Sequence, residues 1–443
     1  MSLFLGCHLC LAEKRAKWYN KACKTGIITE DCEEEGTAVK KLICLIIVMV
    51  IVLGGCIAAV PSDTMASATA SASTGSTEQT QATSSTQLST EALPDKMEVY
   101  IKQMSLREKV GQLFIVSPED LLKTQEGKFS YGVTEMSEPL KTALMEYPVG
   151  GVVMFAGNLV SPEQIKVFNK DLQAASTIPL FITVDEEGGR VARIANHPGF
   201  NVKKYKSAAK VGASGDTAAA LEMGQTIGAY LSEYGFTMNF APVGDVFTNP
   251  ENTVIGNRAF SSDATVAAAM AKAVACGLRE QGITPVYKHF PGHGDTVEDS
   301  HKELALSNKT AEQMKAGEWL PFQNLTADDC VMVGHIATPN ITGDKIPATL
   351  SYSMIHEYLR GYCRFDGLVI TDSFSMEAIA AEYTAAEAAV AAINAGCDVI
   401  LLPEDFEEAF NSVMAAVENG TITMERLQES VGRVLRLKEK SLS

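Results

Sequence analysis

The stretch ITPVYKHF, residues 283–290, is a short apolar run that ends in two polar side chains, Lys288 and His289. An Ala-rich amphipathic segment, residues 263–282, comes before it and ends in glycine, as helices commonly do. A helical pattern followed by an apolar run of this length is typical of one unit of a parallel sheet. We therefore predict a buried strand at 283–290 with polar side chains at its carboxyl end.

Further apolar runs of this kind alternate with helical patterns from residue 110 to the end of the chain. Such an alternation predicts a parallel sheet covered by helices. The candidate strands are residues 110–117, 149–157, 179–187, 237–246, 283–290, 330–336, 367–374 and 397–403. Eight such units predict an α/β fold of the TIM type, a closed (β/α)8 barrel.

Polar side chains stand at the ends of several of these runs. They are Asp185, Asp245, Lys288, His289, His335 and Asp372. The carboxyl ends of barrel strands meet at one face, so we expect these side chains to converge on an active site. For any single residue, a satisfied polar group at a strand end is the simpler interpretation, and we adopt it for Asp245 and His335.

The composition of the 443-residue chain is that of a globular protein, with 46% hydrophobic and 21% charged residues. The formal net charge of −17 argues against nucleic acid as a partner. The cysteines of the barrel region, Cys276, Cys330, Cys363 and Cys397, are widely spaced in the sequence. We predict that they are buried small apolar residues and neither disulfides nor zinc ligands.

The stretch VKKLICLIIVMVIVLGGC, residues 39–56, has two lysines, an apolar run of 12 residues and a closing Leu-Gly-Gly-Cys. The apolar run is short for a membrane span but suits a signal peptide; a plain membrane anchor is the alternative. The closing LGGC resembles the lipobox of bacterial lipoproteins, which implies cleavage before Cys56 and lipidation of its side chain. We therefore expect export and lipid anchoring to the outer face of the bacterial cytoplasmic membrane.

Four segments make up the predicted domain organisation. Signal peptides begin with their positive segment, so we expect translation to start at Val39 and residues 1–38 to be an upstream extension. The signal peptide occupies residues 39–55. Residues 56–93 are rich in Ser and Thr and lack hydrophobic periodicity, which predicts an unfolded tether. The barrel domain then covers residues 94–443.

The stretch GHGDTVEDSH, residues 292–301, concentrates acidic side chains and histidines in a glycine-rich loop. A metal site, a catalytic acid/base and a solvated charged loop are the alternatives. The histidines lack the HExxH spacing, and a loop rich in glycine offers no rigid set of ligands. We therefore predict no metal ion and no organic cofactor.

Four spaced motifs together resemble glycoside hydrolase family 3, in particular its bacterial β-N-acetylglucosaminidase branch. They are VDEEGGRVAR (184–193), GNRAF (256–260), KHFPGHGDTVEDSH (288–301) and VITDSFSM (369–376). The resemblance covers residues 94–443 and implies a retaining exo-β-N-acetylglucosaminidase, or β-N-acetylhexosaminidase. Its substrate would be a cell-wall or chitin-derived glycan with a terminal N-acetylglucosamine. The chain ends soon after its last helical pattern, so we expect a single catalytic domain without the second domain of many family members.

The resemblance also implies the catalytic residues. Asp372 would be the nucleophile, and His301, oriented by Asp299, would be the acid/base. The chemistry agrees, because a retaining glycosidase needs a nucleophile and a proton donor, and an imidazole that titrates near neutrality serves as both acid and base. Asp299 would fix the tautomer of the imidazole, as a carboxylate does in hydrolytic triads.

The remaining motif residues would bind the sugar. By the resemblance, Asp185 accepts hydrogen bonds from ring hydroxyls, Arg258 and Lys288 donate to them, and His289 joins from the end of its strand. Arg190 has two interpretations, contact with substrate or an ion pair with one of the glutamates of the EEGGR motif, and the ion pair is the one we favour.

Three other functions stay open. A non-catalytic sugar-binding lipoprotein should have lost Asp299, His301 or Asp372, and the sequence retains all of them. A β-glucosidase would ordinarily lack the Asp-Ser-His of the loop. An N-acetylglucosaminide phosphorylase is compatible with a neutral histidine, which would not repel phosphate. A location outside the membrane favours hydrolysis.

Overall fold

In a computed structural model that describes residues 96–127, 132–297 and 304–442, eight parallel strands close into a barrel. Each strand pairs with the neighbouring strands in chain order, and the last strand pairs with the first. The strands are β1 Phe114–Val116, β2 Gly151–Met154, β3 Phe181–Val184, β4 Met238–Asn239, β5 Thr284–Phe290, β6 Cys330–Val333, β7 Leu368–Ser373 and β8 Val399–Leu401. The prediction of a TIM-type barrel is confirmed.

Each predicted run contains one barrel strand but extends beyond it, most of all residues 237–246, where the strand covers only Met238–Asn239. The first run begins inside a helix. Residues 110 and 111 end a helix, and the strand begins only at Phe114. The helix starts at Leu106 because Ser105 and Glu108 form a capping box, in which each side chain accepts a hydrogen bond from the backbone of the other residue. This local signal outweighs the apolar character of the residues that follow.

Helices fill the connections between strands. The α-helices are α1 Lys96–Gln103, α2 Leu106–Gly111, α3 Pro118–Glu126, α4 Glu138–Glu146, α5 Pro162–Ala175, α6 Ala208–Gly212, α7 Thr217–Glu233, α8 Ala264–Glu280, α9 Ala311–Ala316, α10 Pro339–Thr342, α11 Glu377–Ala380, α12 Ala385–Ala395, α13 Phe406–Glu418 and α14 Met424–Leu442. Short 3-10 turns occupy Ala156–Asn158, Gly256–Arg258, Leu320–Phe322 and Ala348–Leu350, and a π-helix spans Met354–Tyr362. Two further pairs of short strands, Glu186–Gly188 with Val191–Ala192 and Ala305–Leu306 with Ile336–Ala337, lie outside the barrel.

Helices α7 and α8 contact each other closely because each carries a glycine at the interface. A Cβ atom at Gly224 would lie 2.2 Å from the carbonyl oxygen of Val274, and one at Gly277 would lie 2.4 Å from the carbonyl oxygen of Leu221. Both helices begin at an aspartate N-cap, Asp216 for α7 and Asp263 for α8. The helical pattern predicted for residues 263–282 is confirmed by α8.

The amino-terminal end of the barrel is closed by helix α14. Val434 and Leu437 of this helix pack into the cluster of side chains that fills the barrel interior. The neighbouring Lys438 is buried, its Nζ donates to Oε1 of Gln112 at 2.6 Å, and its ammonium lies 5.1 Å from the centre of the Phe181 ring. Burial holds the pKa of Lys438 well below its usual range.

A buried carboxylate fixes α14 to the barrel. Asp398, directly before β8, accepts hydrogen bonds from Arg360 at 2.8 Å, Arg433 at 3.2 Å, Arg426 at 3.3 Å and the Ser430 hydroxyl at 2.7 Å. Burial raises the pKa of Asp398, but the three guanidinium groups outweigh it and the net shift is downward. Ion pairs therefore help to close the end of the barrel at which the strands begin. The opposite end, at which the strands finish, stays open.

Three of the four cysteines are buried as predicted, and one is not. Cys330, Cys363 and Cys397 are buried free thiols, whereas Cys276 is an exposed free thiol. Cys276 lies on α8, whose buried face carries residues such as Val274 and Leu278, so the helical period turns position 276 toward solvent.

The remaining predicted segments lie outside the described residues. These are the upstream extension 1–38, the signal peptide 39–55 and the tether 56–93 with Cys56, and they stay predictions. Within the described part of the chain, no helix is long and apolar enough to cross a membrane.

Candidate active site

The carboxyl ends of the barrel strands surround a cavity of about 370 Å³, within the range of small-molecule sites. Its charged and polar lining consists of Asp185, Glu187, Arg193, Arg258, Lys288, His289, Asp372, Ser373 and Ser375. Its apolar lining consists of Val153, Phe155, Val191, Phe240, Met332, Met376, Leu401 and Leu402. Among the predicted site residues, five meet here: Asp185, Arg258, Lys288, His289 and Asp372.

Lys288, near the end of β5, is a buried ammonium held between two carboxylates. Its Nζ lies 2.7 Å from Oδ1 of Asp185 and 2.7 Å from Oε1 of Glu187, and its side chain is only 3% exposed. Burial lowers the pKa of Lys288, but the two carboxylates outweigh it and the net shift is upward. Lys288 is therefore cationic at neutral pH.

Glu187 also binds Arg258 through two parallel hydrogen bonds. Nε of Arg258 donates to Oε2 at 2.8 Å, and Nη2 donates to Oε1 at 2.7 Å. Burial raises the pKa of Glu187, but the charges of Arg258 and Lys288 outweigh it and hold the pKa far below its usual range. Asp185, Glu187, Lys288 and Arg258 thus form a network of alternating charge on one side of the cavity, which we call the charged cradle.

Sequence reasoning considered Glu187 only as a partner of Arg190 and did not place it in the cavity. The signal that could have found it is the alternation of a strand, in which residues two apart share a face. Asp185 and Glu187 both line the cavity, whereas Glu186 between them is buried in the core. There Glu186 accepts hydrogen bonds from the Tyr230 hydroxyl at 2.7 Å and from the backbone N–H groups of residues 194 and 195.

Arg193 is the second cavity residue that sequence reasoning missed. Its Nη2 lies 3.4 Å from Oδ2 of Asp185, and its guanidinium carbon lies 5.8 Å from the centre of the Phe155 ring. The short hairpin of residues 186–188 and 191–192 brings it back toward the end of β3. Arg193 therefore adds a cation to the edge of the charged cradle.

Asp372, at the end of β7, faces the same cavity. Its Oδ1 accepts a hydrogen bond from the N–H of Ser373 at 2.8 Å. Burial raises the pKa of Asp372, but the charges of His289 and His335, the Ser373 N–H and Lys288 together outweigh it and lower the pKa. The result is an ionised carboxylate beside a group of donors, which is the state required of a nucleophile.

His289 is oriented by a buried aspartate. Its Nδ1 lies 2.7 Å from Oδ2 of Asp245, whose Oδ1 accepts from the backbone N–H of His289 at 3.2 Å and of His293 at 2.7 Å. A carboxylate partner fixes the proton on Nδ1 and leaves Nε2 as the second polar atom of the ring. The pairing register of β5 shifts between Tyr287 and Phe290, and consecutive residues 288 and 289 both line the cavity.

Asp245 and His335 do not line this cavity, and both are hydrogen-bonded, in keeping with the structural interpretation. His335 contacts the hydroxyl of Thr349 at 3.0 Å through Nδ1 and donates from Nε2 to the carbonyl oxygen of Ser373 at 2.8 Å. Asp245 orients His289, and His335 supports the turn that follows Asp372. The two residues act on the site through their neighbours.

Arg190 does not join the cavity residues. Its side chain is exposed, and Nη2 donates to the carbonyl oxygens of Thr253, at 3.0 Å, and Val254. The expected ion pair with Glu186 or Glu187 is wrong, because donors inside the protein already occupy both carboxylates. Arg190 instead holds the segment that leads into Arg258.

Asp299 and His301 lie outside the described residues, and their roles stay predictions. The segments on either side of them are well anchored: Asp295 accepts from the Ser307 hydroxyl at 2.6 Å and pairs with Lys309 at 3.2 Å. His293 is buried, and burial together with the charge of His289 lowers its pKa to about 4. The described residues contain no group of His, Cys, Asp or Glu side chains arranged to hold a metal ion.

Comparisons of this chain with protein families, with known sequences and with solved structures agree with one another. The model of the family "Glycosyl hydrolase family 3 N terminal domain" matches residues 105–437. Beta-hexosaminidase A from Pseudoalteromonas piscicida is 31% identical over 349 residues, which cover 72% of this chain and 58% of that protein. Beta-hexosaminidase from Xylella fastidiosa strain 9a5c is 35% identical over 284 residues, which cover 62% of this chain and 83% of that protein.

The chain is also similar to solved structures. One of them is the family 3 β-N-acetylglucosaminidase from Paenibacillus sp. str. FPU-7, with a TM-score of 0.70 and 36% sequence identity over 76% of this chain. The match covers 63% of that chain, so this chain spans less than two thirds of that enzyme and of the Pseudoalteromonas protein.

Replacing Glu187 by glutamine tests the electrostatic account of the cradle. The lowered pKa means that the Glu187 charge stabilises the fold above its unfolded pKa of about 4.3 and that this stabilisation is lost as pH falls. We expect Glu187→Gln to lower the free energy of unfolding by about 3 kcal/mol at pH 7. The difference from the native protein should shrink between about pH 5 and pH 2, measured by urea unfolding.

A matched control is Glu222→Gln, because Glu222 pairs with Lys203 on the surface, where both side chains are more than half exposed. This change should cost less than about 1 kcal/mol. If the free energies of unfolding of the native protein and of Glu187→Gln differed by the same amount from pH 7 to pH 2, the electrostatic explanation would be wrong.

Proposed function

The chain belongs to glycoside hydrolase family 3, and on that premise we propose that it is a retaining exo-β-N-acetylglucosaminidase. The observation that carries the proposal is the ionised Asp372 in a small cavity whose other side is the charged cradle. A cavity of about 370 Å³ with a filled barrel interior beneath it suits a single terminal sugar. The choice of N-acetylglucosamine rests on the names of the related proteins.

The residues of the cavity divide the work between binding and chemistry. Asp185 and Glu187 accept hydrogen bonds from sugar hydroxyls, while Lys288 and Arg258 donate to them. Held in this way, the sugar presents its anomeric carbon to Asp372. The carboxylate attacks that carbon, the leaving group departs, and water then releases the sugar from the glycosyl-aspartate intermediate. Since the cradle is assembled before substrate binds, it requires little rearrangement in the reaction.

The proton donor in this proposal is His301, oriented by Asp299. The proposal is supported by the Asp-Ser-His of the loop motif at residues 299–301. His301 gives its proton to the leaving oxygen in the first step and takes a proton from water in the second. Asp299 stabilises the imidazolium that is present before the first step and is formed again in the second.

The first experiment compares substrates and removes the nucleophile. The purified protein should hydrolyse p-nitrophenyl N-acetyl-β-glucosaminide in preference to p-nitrophenyl β-glucoside. Asp372→Ala should lower kcat more than about a thousandfold with an unchanged near-UV circular dichroism spectrum, because it removes the covalent step. Asp366→Ala, at the opposite end of β7 with an 82% exposed side chain, should keep its activity.

Each alternative function has its own outcome in this assay. A preference for the glucoside indicates a β-glucosidase, and sugar binding without turnover indicates a binding lipoprotein. Product analysis at millimolar phosphate separates hydrolysis from phosphorolysis, and we propose that free N-acetylglucosamine predominates. Predominant N-acetylglucosamine 1-phosphate would make the protein a phosphorylase, and full activity of Asp372→Ala would mean that the nucleophile is a different residue.

The second experiment tests His301 through the leaving group. With an activated aryl glycoside, His301→Ala should lower the deglycosylation rate about a hundredfold or more and the first step far less, because a good leaving group needs little protonation. Pre-steady-state release of nitrophenol should then show a burst. With a disaccharide substrate both steps should slow, because its leaving group needs protonation. The loss in kcat/KM, which reports the first step, should therefore be larger for the disaccharide than for the aryl glycoside, and an equal loss in kcat/KM on both substrates would contradict the assignment.

The lipobox motif supports a further part of the proposal, that the protein is exported and anchored by lipid at Cys56. The cell-wall glycan would then be hydrolysed outside the cytoplasmic membrane, within reach of a tether formed by residues 56–93. Labelled fatty acid should enter the native protein in cells, and Cys56→Ser should abolish both labelling and cleavage before residue 56. Recovery of an unlipidated native protein with a different N-terminus would contradict this part.

A further inference from the structure

A second cavity lies beside the catalytic one and is about twice as large, with a volume of about 720 Å³. Phe155, Ser375 and Leu402 line both cavities. The rest of its wall comes from the segments that follow β1, β2 and β8. The two cavities therefore share one wall at the mouth of the barrel.

The position of the second cavity relates it to the anomeric end of a bound sugar. Ser375 lies three residues after Asp372, and Leu402 directly follows β8, the neighbour of β7. The charged cradle, in contrast, is built from the ends of β3 and β5 and the turn with Arg258. A sugar held by the cradle with its reacting carbon at Asp372 therefore has its anomeric end, from which the leaving group departs, on the side of the barrel mouth where the second cavity lies.

The second cavity is acidic. Glu119, Asp120 and Glu404 line it together with one cation, Lys123. Lys123 is paired with Asp405 at 3.2 Å. Asp405, which is not part of the lining, therefore compensates most of the charge of Lys123. The three carboxylates of the lining then give the cavity a negative potential.

Glu119 is the residue that points to a ligand. Its side chain is buried, with 6% of the residue exposed, and Oε1 accepts from the backbone N–H of Val133 at 2.9 Å and from Nδ2 of Asn158 at 2.7 Å. Within residues 96–127, 132–297 and 304–442 no group donates to Oε2. Oε2 is accessible from the cavity rather than buried, so it offers an acceptor to a ligand that brings a donor.

Asn158 connects this carboxylate with the shared wall. Its Oδ1 accepts a hydrogen bond from the backbone N–H of Phe155 at 2.8 Å, while its Nδ2 donates to Glu119. Asp120 likewise accepts two hydrogen bonds at one oxygen, Oδ2, from the backbone N–H and the hydroxyl of Ser117 at the start of α3. Of the two carboxylates, Glu119 is the one that Asn158 connects to the wall shared with the catalytic cavity.

We propose that the second cavity is a leaving-group subsite that binds a primary ammonium group through Glu119, with Glu404 at its outer edge. The ammonium belongs to the part of the substrate that is released, either an amino sugar without its acetyl group or an amine of a peptide attached to the glycan. An ammonium donates up to three hydrogen bonds, and its positive charge would balance the negative carboxylates of the cavity. The inference rests on the glycosidase activity proposed above.

The experiment measures kcat/KM of the full-length protein at pH 6 with paired substrates. One pair is the β-1,4-linked disaccharide of N-acetylglucosamine with glucosamine and its fully acetylated form. The other pair is N-acetylglucosaminyl-muramyl peptide with a free lysine and with an acetylated lysine. The native protein should prefer the free amine in at least one pair by about tenfold, equivalent to about 1.4 kcal/mol.

Glu119→Gln is the decisive variant because it is isosteric. The amide oxygen can keep the hydrogen bonds that Oε1 accepts, and only the charge and the acceptor at Oε2 are lost. The preference for the free amine should fall from about tenfold to nearly one, and Glu404→Gln should lower it by a smaller factor. Glu408→Gln removes a charge from the first turn of α13, outside the cavity lining, and should keep the full preference.

Each outcome has one meaning. A preference in the disaccharide pair assigns the ammonium to an amino sugar, and a preference in the peptide pair assigns it to a peptide. Equal rates within both pairs, or a preference that survives in Glu119→Gln, overturn the inference. Failure to cleave even p-nitrophenyl N-acetyl-β-glucosaminide would instead reject the proposed function, so the two failures are distinguishable.

Discussion

The buried ammonium of Lys288 is the interaction on which the rest of the site depends. It lies 2.7 Å from carboxylate oxygens of both Asp185 and Glu187 and so connects β5 to the end of β3 and to the hairpin after it. Through Glu187 the same network holds Arg258, which comes from a distant loop. An isolated charge at this depth would be neutralised or excluded, so each member of the cradle requires the others. This mutual requirement gives the cavity its fixed shape.

The two ends of the barrel use charge in different ways. At the amino-terminal end, Asp398 is surrounded by guanidinium groups, and Lys438 is buried beneath the barrel with Gln112 as its partner. These contacts hold α14 in place and are closed to ligands by packing. At the carboxyl-terminal end, Asp372 and the cradle face a cavity. The charges at the amino-terminal end thus serve the fold alone, whereas those at the carboxyl-terminal end stabilise the fold and also face a cavity.

The sequence predicted the barrel because each strand is an apolar run flanked by helical patterns, and that signal is local. It also predicted which strand ends carry Asp185, Lys288, His289 and Asp372, since the topology brings such ends together. It could not predict contacts that depend on the conformation of loops. Glu187 and Arg193 reach the cavity through a hairpin after β3, and Arg190 is turned away by the same hairpin. The capping box of Ser105 and Glu108, which begins α2 before β1, is in contrast a local signal that sequence reasoning overlooked. The outward position of Cys276 depends on the exact phase of α8.

In the proposed function, the cradle binds the part of a sugar that glycoside cleavage leaves unchanged. Asp185, Glu187, Lys288 and Arg258 would exchange their hydrogen bonds with ring hydroxyls, and a released monosaccharide still carries those hydroxyls. In a glycosidase of this construction, the product keeps most of the contacts of the substrate and competes with it for the empty site. Turnover then depends on how quickly the free sugar is diluted or consumed, so product inhibition is a direct consequence of a binding network placed away from the bond that breaks.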